Sequence, residues 1–528
     1  MVRWLGILAC ALSLYAQEVH VQVLNTTDVR GHVLPQNSFT LQPQNQGWAR
    51  LASLVRSLRS ANPNTVLVDC GGATQGEPIN YVWAQLDRQK PEPTMAIMNS
   101  LGYSAMVVGA QEFALGIGQL RAMEEQAQFP WLAANVVFAA GGRRVFTPYV
   151  KLDVGGVQVA VVGFASVPAR PAGGELLFQD PVAAARTLIP LLRDKEKVDL
   201  VIVALHGGLG KEPCADPENQ ALCLAQVPGV DLVLAGRSRQ QVATEAGGVA
   251  ILQAGQNGQA LGVADFTFTR GRKGKWELAS RKVRLVPPPE ANDPEVMELT
   301  APLRGETETY LNTFATVLGT DLDGRWSRME DTALMHLLHT AARQASGAQV
   351  TALATPGARV FIPRGATSVR QFYGLFPEDD RFARIRVSGR QLRAYLEHAG
   401  RFFNFSHNPE LFSKAMAPED YDTLDGCAYT LDLSRPVGQR VIELKFQGQP
   451  VKDDQSLTLG LPSSRLAGAG GYLEAMGWTG QPEFESRVPF RNYLLEYVLS
   501  RPTVSSVAGD GWHIVPALDR ERVLAQQP

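Results

Sequence analysis

Cysteine is scarce in this sequence, with five residues among 528. Cys214 and Cys223 lie nine positions apart in the polar segment EPCADPENQALC. Two cysteines are too few for a structural zinc site, so this spacing predicts a local disulfide, with free thiols as the alternative. Cys70 and Cys427 lie in apolar, strand-like surroundings, which predicts two buried thiols.

An excess of charge of either sign is also missing. The 50 Lys and Arg residues nearly balance the 52 Asp and Glu residues, leaving a formal net charge of −2. Nucleic-acid polymers and acidic membranes bind strongly basic surfaces, so the composition argues against both as partners. A small anion stays compatible with it, because a single pocket can be basic on a neutral protein.

No apolar run is long enough to span a bilayer as a helix, which takes about 20 residues. At the N-terminus, Arg3 precedes the apolar run 4–15, and Ala16 is a small residue suited to a cleavage site. This pattern predicts a signal peptide over 1–16 and a secreted or periplasmic protein with no membrane insertion after cleavage. A lipid anchor at Cys10 is the alternative, although the run before it is short.

The first half of the chain alternates apolar strands with helices such as 48–60 and 93–102. The strands predicted from β-branched, apolar runs are 19–25, 64–72, 104–109, 157–165, 198–207 and 230–236. Runs that are apolar throughout suit strands buried on both faces, and their alternation with helices predicts a layered α/β domain. Polar residues follow most of these strands, which predicts a site at their carboxyl ends.

A Pro-rich polar segment at 287–296 marks a domain boundary, and a helix is predicted to follow it. The second half opens with a predicted helix over 329–346 and then mixes strands and helices. The predicted organisation is a signal peptide at 1–16, a first domain at 17–290, a linker helix at 291–319 and a second domain at 320–528.

Several strand-end motifs are recognisable, namely NTTDVRGH (25–32), LVDCGGATQGEP (67–78), LGYSAMVVGAQEF (101–113), ALHGG (204–208) and VDLVLAGRSR (230–239). In order and spacing they resemble the metallophosphoesterase domain of 5'-nucleotidases. The second half resembles the C-terminal domain of that family. Segments 373–404 and 421–451 favour its 2',3'-cyclic-nucleotide phosphodiesterase/3'-nucleotidase branch.

The resemblance implies a four-layer metallophosphoesterase sandwich, with two mixed sheets flanked by helices. A linker helix would join it to an α+β 5'-nucleotidase C-terminal domain. It also implies ancestry among phosphoester hydrolases of nucleotide catabolism. In that family, two divalent cations clamp a phosphate and activate a water for attack. Motifs of the form D-x-H, G-D, G-N-H-D/E, a lone His and G-H-x-H hold the cations.

Three of these positions keep the family residue in this sequence: Asp28, Glu112 and His206. The others carry over to different residues, which are Arg30, Ala73, Ala110, Gln111, Arg237 and Arg239. Arginine stays protonated and cannot ligate a metal. These substitutions predict no dinuclear centre, no metal cofactor and impaired catalysis. No catalytic residue is assigned beyond the former-site positions Asp28, Gln111, Glu112 and His206.

Three of the substituted positions are arginines, namely Arg30, Arg237 and Arg239. Together they carry a charge of +3, close to the +4 that two divalent ions would carry. Guanidinium groups match phosphate oxygens in bidentate geometry. One hypothesis is therefore a pocket that binds a phosphate- or nucleotide-like anion through these arginines. The alternative is that they pair with Asp28, Glu112 and backbone carbonyls and fill an inactive site.

In the second half, Arg359 of ATPGAR (354–359) matches the family's phosphate-contacting arginine. Arg465 and Tyr472 lie at the late glycine-rich loop and complete the predicted substrate-binding set. Ordinary packing is the alternative for Tyr472.

Three functions follow from these patterns. The first is a secreted, catalytically impaired protein that binds an anion. The alternatives are an active nucleotidase or cyclic phosphodiesterase with an atypical site, and a non-catalytic envelope scaffold. Neither a P-loop nor a G-x-S-x-G motif offers a different catalytic apparatus. The oligomeric state stays open.

Overall fold

The computed structural model describes residues 18–527 except 110–111, 114–115, 168–173, 212–213, 215, 272–273 and 379. The predicted signal peptide therefore lies outside the described residues, as do Ala110 and Gln111. The described chain divides into two compact units. The first contains the residues up to 37, 42–75 and 88–300, and the second contains 38–41, 76–87 and those from 301 onward.

The helices are α1 Trp48–Ala61, α2 Pro78–Gln85, α3 Pro93–Leu101, α4 Ile117–Glu124, α5 Pro181–Asp194, α6 Ala221–Ala225, α7 Pro294–Leu311, α8 Ala333–Ser346, α9 Val369–Tyr373, α10 Gly389–Ala399, α11 Ser463–Leu466, α12 Tyr472–Ala475, α13 Phe490–Leu499 and α14 Arg520–Gln526. The strands of the first unit are β1 Glu18–Thr26, β2 Thr65–Asp69, β3 Ala105–Val107, β4 Trp131–Leu132, β5 Val136–Phe138, β6 Tyr149–Val154, β7 Val157–Ala165, β8 Leu176–Phe178, β9 Leu200–His206, β10 Leu232–Ala235, β11 Gln241–Ala246, β12 Val249–Ala254, β13 Leu261–Arg270 and β14 Trp276–Val286.

The strands of the second unit are β15 Phe314–Leu318, β16 Leu322–Asp323, β17 Val350–Ala354, β18 Phe361–Ile362, β19 Gly365–Ser368, β20 Phe382–Ser388, β21 Asp422–Asp425, β22 Ala428–Asp432, β23 Val441–Phe446, β24 Gln449–Pro450, β25 Ser456–Pro462, β26 Phe484–Glu485, β27 Thr503–Val504 and β28 Trp512–Val515.

The first unit contains two six-stranded mixed sheets, ordered β14-β13-β1-β2-β3-β4 and β11-β12-β10-β9-β7-β6. Alternate valines of β1 and β7 join one buried core between the sheets. Apolar side chains of α5 and α6 pack with the other face of β7, β9 and β10 in a second core. The predicted α/β fold with two mixed sheets and flanking helices is therefore confirmed. It forms because strands apolar at every position need cover on both faces.

The parallel pairs β1–β2 and β9–β10 each bring their carboxyl ends to one edge of a sheet. His206 is the last residue of β9, and the loops that follow β1, β2 and β10 carry Asp28, Gly72 and Arg237. In the same unit, the predicted disulfide between Cys214 and Cys223 is formed, with a Cα–Cα distance of 6.1 Å.

The second unit is built around a five-stranded sheet, β21-β17-β25-β20-β26, and a four-stranded sheet, β24-β23-β22-β28. Helix α8 begins four residues later than the sequence predicted. Thr332 caps it, since its side chain accepts a hydrogen bond from the backbone N–H of Met335. Among the described helices, none is long and apolar enough to cross a membrane.

Candidate functional site

The loops after β1 and β10 meet at the carboxylate of Asp28. This side chain is buried, and its Oδ2 accepts hydrogen bonds from the Thr27 hydroxyl at 2.6 Å and from the backbone N–H of Arg237 at 2.7 Å. The backbone N–H of Asp28 donates to the carbonyl of Gly71 at 2.9 Å. Three strand-end loops are thus joined at one buried carboxylate. We call Asp28 and its neighbours the strand-end cluster; these neighbours are Arg30, Glu112, His206, Arg237 and Arg239.

Four residues of the strand-end cluster have left-handed backbone. The φ angles are 51° for Asp28, 61° for Arg30, 66° for Arg237 and 58° for Arg239. This conformation costs a residue with a Cβ about 1–2 kcal/mol. All four occupy ligand positions by the resemblance. The loops therefore have a strained backbone at these four positions, three of which are arginines.

Glu112 is fully buried and serves as an acceptor for loop amides. Its carboxylate accepts from the backbone N–H groups of Gly72, Ala73 and Gly109 at 3.2, 2.9 and 3.0 Å. Nδ1 of buried His206 lies 2.7 Å from the carbonyl oxygen of Cys70, so that nitrogen carries a proton. Both retained residues are thus engaged with the backbone of neighbouring loops.

The structure places residue 72, rather than Ala73, against the Asp28 carboxylate. A Cβ built on Gly72 would lie 2.7 Å from Asp28 Oδ1. Ala73 instead presents its backbone N–H to Glu112. Residue 72 is therefore the closer of the two to Asp28, and neither residue 72 nor residue 73 supplies a carboxylate.

A second buried carboxyl group, Asp69, adjoins this cluster and was missed from the sequence. It accepts hydrogen bonds from the Thr26 hydroxyl and the Gly71 N–H, both at 2.7 Å. Burial raises the pKa of this carboxyl well above its usual range despite these bonds. Its place at the end of an apolar strand was the available signal.

The predicted anion-binding arginines have different surroundings. Nη2 of Arg237 pairs with Glu218 Oε2 at 2.7 Å, and Nη1 lies 3.4 Å from Ser166 Oγ. Arg30 is buried and Arg239 is exposed. Arg237 is thus paired with an internal carboxylate, the arrangement expected for an inactive site, while anion binding by the three arginines stays a prediction.

Arg465 and Tyr472 of the predicted substrate set lie inside the second unit. Nε and Nη2 of Arg465 bond the two carboxylate oxygens of Asp422 at 3.0 and 2.8 Å. The Tyr472 ring is fully buried and stacks on Tyr395 with a centroid distance of 4.1 Å. The Tyr472 hydroxyl donates to the carbonyl of Asp420 at 2.6 Å. The structure therefore gives both residues internal partners.

Arg359 lies on a cavity of about 830 Å³ in the second unit. We call this cavity the arginine pocket, and its lining includes Arg325, Arg328, Arg359, Phe361, Leu524 and Gln527. Arg328 is 5% exposed, and within the described part of the chain its Nε and Nη1 atoms have no hydrogen-bond partner. Burial lowers the pKa of this guanidinium. Arg325, by contrast, pairs with Asp323.

Arg328 was not singled out from the sequence. The available signal was two arginines three positions apart, flanking a tryptophan, just before a capped helix (GRWSRMEDT). Burial of the second arginine depends on tertiary neighbours such as Phe402, whose ring centroid lies 5.8 Å from the Arg328 guanidinium carbon.

Comparison with known proteins finds a matching family and several relatives of this chain. Residues 307–477 match the family described as "5'-nucleotidase, C-terminal domain". The chain is 25% identical to the trifunctional nucleotide phosphoesterase protein YfkN of Bacillus subtilis, over 95% of this chain and 39% of that protein. It therefore spans well under half the length of that relative.

A 2',3'-cyclic-nucleotide 2'-phosphodiesterase/3'-nucleotidase of Haemophilus influenzae is also 25% identical, over 96% of this chain and 89% of that protein. Among solved structures, a putative 5'-nucleotidase from Staphylococcus aureus has the same fold, with a TM-score of 0.80 at 21% identity. That match covers 94% of this chain and all of the other.

These relatives correct the prediction that the protein has no cofactor. They are nucleotide phosphoesterases, a class that ordinarily works with divalent metal ions, and they align with nearly the whole chain, so the prediction is wrong. The donor set is nevertheless incomplete. Within the residues that the structure describes, no group of three His, Cys, Asp or Glu side chains could hold a metal ion. The described residues therefore do not fit a two-metal site.

The predicted resemblance to the 5'-nucleotidase and 2',3'-cyclic-nucleotide phosphodiesterase family is confirmed: residues 307–477 match the 5'-nucleotidase C-terminal domain, and the relatives that align with nearly the whole chain are nucleotide phosphoesterases.

Proposed function

We propose that this protein is an exported descendant of nucleotide phosphoesterases that binds a phosphate-type anion in the arginine pocket and is impaired in hydrolysis. One observation carries the binding proposal: Arg328 is 5% exposed, lines a cavity and has two nitrogen atoms without a hydrogen-bond partner in the described chain. Phe402 and the charge of Glu419 lie near this guanidinium, but two of its nitrogen atoms have unsatisfied N–H groups, and an anion in the cavity would add a counter-charge.

The chemistry of the lining favours an oxyanion. Three arginines, Arg325, Arg328 and Arg359, line the same cavity, and Arg325 also pairs with Asp323. Planar guanidinium groups bind phosphate oxygens through two parallel hydrogen bonds. The relatives are named for nucleotide phosphoesters, which supports a phosphate-type ligand over a carboxylate.

Impaired hydrolysis is supported by the strand-end cluster. Positions 30, 237 and 239 are arginines, and neither residue 72 nor residue 73 has a carboxylate. The carboxylate of Glu112 accepts from three backbone amides. Few side chains of the strand-end cluster could therefore activate a water molecule.

A second candidate is an active nucleotidase or cyclic phosphodiesterase with an atypical site. Asp28 and His206 favour it, since both are retained and buried at the same strand-end cluster. A non-catalytic scaffold is the third reading, and it predicts neither turnover nor anion binding.

Isothermal titration calorimetry tests the binding proposal with inorganic phosphate, sulfate, AMP and 2',3'-cyclic AMP. We expect binding of at least one anion, and a Kd at least tenfold higher in Arg328→Gln. Arg390→Gln is the matched control, because Arg390 is an exposed arginine of the same unit. Absence of binding for every anion, or equal affinity in both variants, would reject the arginine pocket.

Turnover separates the first two candidates. Assays on 5'-nucleotides, 2',3'-cyclic nucleotides and bis(p-nitrophenyl) phosphate should include added Mg²⁺, Mn²⁺ or Zn²⁺. We expect rates far below the roughly 1 s⁻¹ at the lower end of ordinary enzymes. Metal-stimulated turnover in that ordinary range would establish the active enzyme instead.

Export is supported by the N-terminal pattern and by the disulfide, since disulfides persist in oxidising compartments. Intact-mass analysis of protein recovered from periplasm or culture medium should give a chain beginning at Gln17. A cytoplasmic protein that retains its first sixteen residues would contradict this part of the proposal.

A further inference from the structure

Another cavity of the second unit, of about 370 Å³, has acidic and aromatic side chains in its lining. We call it the tryptophan cavity, and its lining includes Trp326, Glu330, Asp331, Gly509, Asp510 and Arg520. Three of these six residues are acidic and one is an arginine, so the charge of the lining favours a cation. Its volume lies within the range of about 300–1,000 Å³ that is usual for small-ligand sites. Among the described residues, none lines both this cavity and the arginine pocket.

The half-buried carboxylate of Asp331 is the acidic group of this lining that lacks a cationic partner. Its Oδ2 accepts from the backbone N–H of Gly511 at 3.3 Å, and within the described chain Asp331 forms no ion pair. Arg343 acts on it electrostatically but pairs with Asp425. Burial, with a further contribution from the charge of Asp425, raises the pKa of the Asp331 carboxyl. A cation in the cavity would stabilise its charged form.

Glycine at position 509 makes room for this carboxylate at the cavity wall. A Cβ built on Gly509 would collide with Asp331 Oδ2, and one built on Gly511 would lie 3.2 Å from the same atom. Gly509 itself lines the cavity. The unpaired carboxylate oxygen therefore lies against a residue of the wall that has no side chain to cover it.

A cation of the chain itself already lies at this cavity. The guanidinium carbon of Arg520 is 4.8 Å from the Trp326 ring centroid, and Nη2 of Arg520 donates to Glu330 Oε1. An indole face and a carboxylate of the lining thus hold a cation together. The Arg520 side chain is 63% exposed. An exposed ion pair of this kind contributes little to stability, so a ligand could displace Arg520.

We propose that the tryptophan cavity binds a small organic cation, an ammonium group with an apolar substituent. The charged group meets Asp331, and the substituent packs against Trp326 and Leu518, which adjoin the apolar cluster of Met329 and Val523. Arg520 is an internal competitor for the Trp326 face. The site and the sign of the ligand charge differ from those of the proposed anion binding, so the inference does not depend on that function.

Calorimetry on the full chain tests the inference with 2-phenylethylammonium chloride, and 2-phenylethanol is the neutral comparison of similar size. We expect a Kd at least tenfold lower for the ammonium compound. Asp331→Asn should raise this Kd about tenfold, because a charge-assisted hydrogen bond is lost. Asp453→Asn is the matched control, because Asp453 is an exposed carboxylate of the same unit.

Arg520→Gln gives a second measurement at an exposed position, which decides the question if Asp331→Asn does not fold. Removal of the internal competitor should lower the Kd of the ammonium compound about threefold. Arg390→Gln is its control, since it breaks another exposed ion pair of the same unit.

Three results would overturn the inference. The first is absence of ammonium binding, or equal affinity for the ammonium compound and the alcohol. The second is unchanged binding in a folded Asp331→Asn variant. The third is unchanged or weaker binding in Arg520→Gln, because the cation would then not meet the face of Trp326.

Discussion

Left-handed backbone at the strand-end cluster gives a prediction for a single residue. Arg239 is exposed with φ 58°, a conformation that glycine adopts without steric cost. We expect Arg239→Gly to raise the free energy of unfolding by about 0.5–1 kcal/mol, the steric gain less the chain entropy of glycine. Arg239→Ala is the control, because it removes the same side chain and keeps the Cβ. Urea unfolding should show the gain for glycine only.

His339 gives a prediction of pH dependence. The ring is fully buried, its nitrogens lie 2.9 and 3.2 Å from the hydroxyls of Thr351 and Thr423, and burial lowers its pKa to about 4. The unfolded chain takes up this proton near pH 6.5, and the folded chain does so only near pH 4. Stability is therefore lost as pH falls through this window, by about 2 kcal/mol between pH 7 and pH 5.

Urea unfolding at pH 7 and pH 5 measures this loss. His339→Gln keeps polar atoms and does not titrate, so its loss over the same interval should be smaller by about 2 kcal/mol. An equal loss in the wild type and the variant would mean that other groups titrate.

At the scale of elements, Arg465 ties α11 to β21 through Asp422, and Tyr395 of α10 donates its hydroxyl to the same carboxylate. Arg465→Met leaves a buried carboxylate without its cation, which we expect to cost about 3–5 kcal/mol. The double variant Arg465→Met/Asp422→Asn should recover part of this cost. Calorimetric binding of inorganic phosphate to the single variant, measured while it is folded, should be unchanged. Weaker binding would restore Arg465 to the ligand site.

Helices and strands were easier to predict from the sequence than the tertiary contacts between them. The strand runs were recognisable because strands buried on both faces are apolar throughout. The start of α8 was missed because Thr332 overrides the apolar pattern by capping. Segments 38–41 and 76–87 belong to the second unit, where Phe39 stacks on Tyr373 at 5.6 Å. No local sequence pattern predicts that these two segments belong to the second unit.

The site was predictable only in part, for a similar physical reason. Motif order located Asp28 and His206, and Arg359 borders the arginine pocket as a ligand position would. Burial and pairing are set by tertiary contacts, so the sequence could not show that Arg328 is buried or that Arg465 pairs with Asp422. It also could not show that residue 72 faces Asp28, since the glycine leaves no side chain to interpret.

For the whole molecule, two sites compete as the place where an anion binds: the strand-end arginines in the first unit and the arginine pocket in the second. A ligand that binds only the folded state protects the amides of the unit that holds it, by about 2.7 kcal/mol at a hundredfold excess over Kd. With inorganic phosphate, we expect slower hydrogen exchange around 325–361 and 520–526 and no change around 26–32 and 236–240. Protection confined to the first unit would move the binding site to Arg30, Arg237 and Arg239. The arginines at the positions that the resemblance assigns to metal ligands would then be the functional ones.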